Sequence, residues 1–126
     1  MNVLDNLLYT KDHEWIKIEG NEAYIGVTDY AQSELGDIVY VDVKSVGTQF
    51  NKGDVIATIE AVKTVSDVFS PVSGEIIEIN PTITTDASVI NKNPYGEGWI
   101  AKIKINNVEE TKSLLTAEDY RKHIGL

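Results

Sequence analysis

The sequence predicts a mainly β protein in which two quasi-symmetric halves close a flattened barrel or sandwich, with an added N-terminal β-hairpin, a short connector helix and C-terminal helices. Two observations predict it. Most of the chain reads as short runs rich in Val and Ile, each of strand length and bounded by turn residues. The runs also repeat, since Gly36-Asp37-Ile38-Val39-Tyr40-Val41 returns as Gly74-Glu75-Ile76-Ile77-Glu78-Ile79, and Val55-Ile56-Ala57-Thr58-Ile59 returns as Trp99-Ile100-Ala101-Lys102-Ile103. The first match lies 38 residues on and the second 44, so the second half carries about six extra residues between Asn80 and Gly98. Two halves of one pattern can cover each other's apolar faces.

Taken in order, an apolar lead with Val3, Leu4, Leu7 and Leu8 precedes the alternating runs Trp15 to Glu19 and Ala23 to Val27. Gly20-Asn21 between them predicts a β-hairpin with a type II′ turn. Thr28 to Gly36 predicts a short helix: Thr28 can cap it, Asp29 suits its positive end, and Gly36 can terminate it. Strands follow at Ile38 to Val43, Asp54 to Glu60, Val65 to Phe69, Glu75 to Ile79 and Trp99 to Ile105. Pro71 to Gly74 and Asn93 to Gly98 read as turns. Asn107 and Thr116 each precede an acid by three residues, the pattern of a helix start, and Leu114, Leu115, Tyr120 and Ile124 supply a face to bury.

No linker divides the chain, and 126 residues suit one domain, 1–126. With 42% hydrophobic and 25% charged residues, disorder is a poor explanation. A net charge of −9 with scattered Lys and Arg disfavours nucleic acid and anionic membrane as partners. The N-terminal stretch has no basic region and an early Asp5, so it reads as neither signal peptide nor spanning helix, and the expected location is cytoplasmic, or an organelle matrix after removal of a leader.

Catalytic and metal-binding templates find little to match. There is no cysteine, only His13 and His123 could serve as histidine ligands, and neither HExxH nor a Walker loop occurs. Any sulfur redox chemistry must therefore come from an attached group. The stretch Ile59 to Asp67 stands out because Lys63 sits at a bend with none of the usual turn formers at its apex, between the halves of the repeat. By itself a lysine in a turn is usually just exposed, and an unmodified docking loop is a further alternative.

Specific motifs narrow the choice. Glu60-Ala61-Val62-Lys63-Thr64-Val65-Ser66-Asp67, followed by Ser70-Pro71-Val72-Ser73-Gly74-Glu75, resembles the lipoyl-attachment segment of the glycine cleavage system H proteins. His13-Glu14-Trp15, Gly26 to Gln32, Gly36 to Val39 and Asn93 to Trp99 extend the resemblance along nearly the whole chain. Thr64 stands where that family commonly has Ala. Biotin carriers, by contrast, place their lysine between methionines, and the only methionine here is Met1. Lipoyl domains of 2-oxoacid dehydrogenases usually have Asp before the lysine, where this chain has Val62.

The resemblance implies a lipoyl/biotinyl-like barrel-sandwich hybrid and a monomeric, non-catalytic carrier with lipoic acid in amide linkage to Lys63. It implies four partners: glycine decarboxylase, an aminomethyltransferase, dihydrolipoyl dehydrogenase and a lipoate-attaching enzyme. It further implies that the loaded arm folds back into a surface cleft, with Glu14 and Asp67 as contacts to its amine. The plainer alternatives are an exposed loop acid for Glu14 and a protective strand-edge charge for Asp67.

Overall fold

The computed structural model describes residues 1–126. Strands β1 (Leu8–Tyr9), β2 (Glu14–Glu19) and β3 (Glu22–Val27) open the chain, and α1 (Asp29–Leu35) leads to β4 (Ile38–Val43). Next come β5 (Gln49–Phe50), β6 (Val55–Ala61), β7 (Val65–Phe69) and β8 (Gly74–Ile79). Helices α2 (Pro81–Thr85) and α3 (Val89–Lys92) precede β9 (Ala101–Ile105), a 3₁₀ turn over Val108–Ser113, and α4 (Ala117–His123). No helix is long and apolar enough to cross a membrane.

The strands form a six-stranded sheet in the order β1-β2-β3-β9-β8-β5 and a three-stranded sheet, β4-β6-β7. The repeat is the core of both. Ile38 and Ile76, Ile56 and Ile100, Ala57 and Ala101, and Ile59 and Ile103 are all buried in a single cluster. Both halves also skip the same residue, because the β4–β6 ladder is irregular between Ile38 and Tyr40 and the β8–β9 ladder between Ile76 and Glu78. They differ in register by two: Val41 faces Ile59, whereas Ile79 faces Ala101 in place of Ile103. A shift of two leaves every side chain on its own face, so the pattern survives it.

The halves are unequal in extent. The predicted N-terminal hairpin adds to the sheet of the second half, through β3 paired with β9. Its turn has Gly20 at φ 68° and Asn21 outside the positive-φ region, as a type II′ turn requires. Strand β7 pairs with β6, so the hairpin around Lys63 belongs wholly to the smaller sheet, and the crossing between sheets is made by Ser70 to Ser73. The six extra residues lie in a segment that forms α2 and α3, which the β pattern did not predict, and two-residue strands β1 and β5 also went unpredicted.

Caps fall where predicted. Thr28 accepts from the Ala31 N–H, and Gly36 closes α1 at φ 76° with its N–H on the Gln32 carbonyl. Asn107 and Thr116 both cap, although the segment after Asn107 is 3₁₀. A second cluster, with Tyr9, Trp15 and Tyr120 at its centre, packs α4 and the N-terminal lead beside the barrel. Trp15 faces Gly26 across β2–β3, and a β-carbon on Gly26 would lie 2.6 Å from the indole. Gly26→Ala should therefore destabilise the fold by about 1–3 kcal/mol through overpacking. An unchanged urea midpoint would show that the indole can move aside.

Candidate functional site

Lys63 stands at the tip of the β6–β7 hairpin. Glu60 faces Val65, and the Ala61 N–H donates to the Thr64 carbonyl at 2.8 Å, so Val62 and Lys63 form the apex. No residue of this bend has a positive φ. Glycine and asparagine are therefore not needed there, which is why the turn could dispense with them. Val62 and Val65 are 77% and 62% exposed, and they leave the lysine flanked by apolar surface.

The tip is fixed from outside the hairpin. The Val62 N–H donates to the Asp37 carbonyl at 2.9 Å. The Lys63 stem rests on Gly36, where a β-carbon would come within 3.3 Å of Lys63 Cε. This connection from α1 to β4 is held in turn by Asn91 on α3. The Asn91 side chain accepts from the Ile38 N–H at 2.9 Å and donates to the Gly36 carbonyl at 2.8 Å and to Gln32 Oε1 at 3.0 Å. The longer second half thus supplies the support for the lysine on the first.

Beside the hairpin, α1, β7 and the turn before β2 line a cleft of about 300 Å³. Val27, Ala31, Leu35, Ile59 and Val68 contribute apolar walls, and Asp12, Glu14, Glu34 and Asp67 contribute acids. The structure thus brings Glu14 and Asp67 to one cleft, while Lys63 lies outside its lining, four residues before Asp67, a chain span of at most about 14 Å.

Glu14 is not an exposed loop acid. It is the first residue of β2 and is 2% exposed. The Thr10 hydroxyl donates to Oε1 at 2.5 Å and the Phe69 N–H to Oε2 at 3.3 Å. Burial pushes its carboxyl up to about 7, against the opposing pull of these two donors. Asp67 is exposed on β7, an edge strand, and accepts from the Thr58 hydroxyl at 3.2 Å.

Sequence motifs did not disclose the rest of the cleft. His13 and Tyr30 line it, and Tyr120 arrives from the far end of the chain to meet His13. The only signal was their aromatic character next to a motif, which does not indicate a contact across 107 residues. Thr10, four residues before Glu14, also gave no signal, because a β-strand start and a turn must first be placed.

A sequence model of the glycine cleavage H-protein matches residues 7–125. The chain belongs to this family. The glycine cleavage system H proteins of Chlorobaculum parvum and Bacteroides fragilis are 53% and 50% identical to it, over 99% and 96% of each chain. The crystal structure of an H protein from Mycobacterium marinum superimposes with a TM-score of 0.90 at 36% identity, covering 98% of this chain and all of the other. H proteins are lipoyl carriers of the glycine cleavage system, and the barrel-sandwich fold agrees with the sequence-based expectation.

The raised carboxyl of Glu14 has a consequence for stability. The folded protein binds this proton more tightly than an unfolded chain with an ordinary value of 4.5 does. The contribution of this carboxyl to stability is therefore largest below 4.5, falls as pH rises to about 7 and levels off above, at up to about 1.4 kcal/mol per pH unit in between. Urea midpoints of wild type and Glu14→Gln across this window should diverge, with the variant lacking that contribution to the slope. Parallel profiles would give the carboxyl an ordinary titration.

Proposed function

We propose that residues 1–126 are one carrier domain with lipoic acid in amide linkage to the ε-nitrogen of Lys63. In this reading it takes the aminomethyl group of glycine from glycine decarboxylase to the aminomethyltransferase. It takes reducing equivalents to dihydrolipoyl dehydrogenase, and it catalyses no step itself. The observation that carries the proposal is the placement of Lys63, an exposed amine at the apex of a hairpin whose base is buried and whose tip is pinned by Asp37, Gly36 and Asn91.

The residues fit the attached group. The amide removes one positive charge, taking the formal balance from −9 to −10. The dithiolane supplies the sulfur chemistry that a chain without cysteine cannot supply. The cleft offers apolar walls for its hydrocarbon chain, and one of its lining residues, Asp67, is four residues from Lys63.

Glu14 and Asp67 then act on the cargo's amine. A carboxylate at either position can pair with an ammonium and accept its hydrogen bonds. Glu14 is the more selective of the two, because its burial leaves it only partly ionised near neutrality and a bound ammonium favours its charged form. Val27, Leu35 and Ile59 give the trough apolar walls. Tethering on a rigid tip raises the effective concentration of the arm at each enzyme it can enter. The same reading makes the protein a cytoplasmic monomer, or one of an organelle matrix, that meets its three enzymes and its lipoate-attaching enzyme in turn.

Intact mass decides the attachment. The protein produced with lipoic acid and a lipoate ligase should gain a single lipoyl group, and Lys63→Arg should gain none. A wild-type protein that stays unmodified under these conditions would overturn the carrier reading.

A further inference from the structure

His13 is the only residue other than glycine with a positive φ, at 72°. This region costs a side-chain-bearing residue on the order of 1–3 kcal/mol, whereas glycine enters it freely. The turn nevertheless holds an imidazole, and the imidazole is engaged on several sides. Its Nδ1 lies 2.8 Å from the Tyr120 hydroxyl, and its ring centroid is 4.6 Å from that of Tyr30 on α1 and 5.6 Å from that of His123.

The Tyr120 hydroxyl also lies 2.7 Å from the hydroxyl of Thr28, the cap of α1. The Tyr120 ring stacks on Tyr9 at 4.6 Å, which fixes the phenol from behind. One side chain of the C-terminal helix therefore joins two walls of the cleft, the His13 turn and the start of α1. On the main chain, the Thr28 N–H donates to the His13 carbonyl at 3.0 Å, and the next residue, Glu14, is turned inward.

We infer that Tyr120 is a positioning residue for the cleft: its hydroxyl holds His13 in the left-handed turn that directs Glu14 inward and shields it from water. Tyr120 acts through His13. The C-terminal helix is thereby part of the cargo site's construction, although it contributes no wall to the cleft. The consequence for a bound ammonium rests on the carrier reading above, while the shielding of Glu14 does not.

The charged surroundings are those of both groups. Asp12 lies near both Glu14 and His13, Glu34 and Asp67 share the cleft with Glu14, and Lys11 and Lys52 line a second cavity beside it. Glu34 and His123 face His13, and Glu14, Tyr9, Tyr30 and Tyr95 surround the Tyr120 phenol. None of these is removed by changing Tyr120 to Phe, which deletes one oxygen and keeps the stacking ring. Its effect on Glu14 thus reports water access.

The test follows the Glu14 carboxyl by carbon-13 NMR as a function of pH in the full, unmodified chain. Tyr120→Phe should stay folded and lower the Glu14 midpoint by about one pH unit toward the ordinary value. His13→Gly, which relieves the backbone strain and removes the ring, should lower it similarly, and the double variant should go no further than either single one. A folded Tyr120→Phe with the wild-type midpoint overturns the inference, and so do fully additive shifts.

If Tyr120→Phe does not fold, His13→Asn takes its place, since Asn tolerates the left-handed region yet lacks the ring. It should give the same lowering, and an unchanged midpoint there overturns the inference as well. Lipoyl attachment in Tyr120→Phe should match that of wild type. Its loss in the variant alone would mark a general disturbance of the fold and overturn the positioning role, whereas its absence in wild type would strike the carrier reading.

Discussion

The structure depends on the burial of β6, the central strand of the three-stranded sheet. Ile56, Ala57, Ile59 and Ala61 are all in the interior, so the strand that leads to Lys63 cannot shift without opening the core. Losing a single such isoleucine side chain costs several kcal/mol, a large share of what holds a domain of this size together. The exposed lysine is consequently as well placed as the buried strand behind it. The core thus gives the hairpin tip a fixed place on the surface.

What departs from the repeat has been put to use at the site. The segment containing the extra residues of the second half folds into α2 and α3, and Asn91 of α3 spends its amide on the connection that the hairpin tip leans upon. The N-terminal hairpin brings Glu14 and the His13 turn to the cleft, and the C-terminal helix brings Tyr120 to hold that turn. The repeated strands make the barrel, and the unrepeated pieces make the site.

Electrostatics divides the acids into two kinds. Most of the 20 are surface groups that give the chain its negative charge. Glu14 differs because it is buried and its two hydrogen-bond donors, a threonine hydroxyl and a backbone N–H, are both neutral. Burial therefore outweighs hydrogen bonding, and the carboxyl becomes sensitive to pH near neutrality and to any cation that enters the cleft.

The sequence by itself determined the strands, the caps, the repeat and the family, along with Lys63 as the residue to watch. These are matters of local conformation and short motifs: Gly20-Asn21 can form its turn, and Thr28 can cap its helix, with little help from distant residues. Strand identity also survives uncertainty of register, as the two-residue offset between the halves shows. Only the tertiary structure decided which sheet each strand joins, that Glu14 is buried and not exposed, and that His13 meets Tyr120. Burial and contact across 107 residues are properties of the packed chain, and no local preference encodes them. The exposed lysine at the bend was therefore legible in the sequence, and the cleft beside it was not.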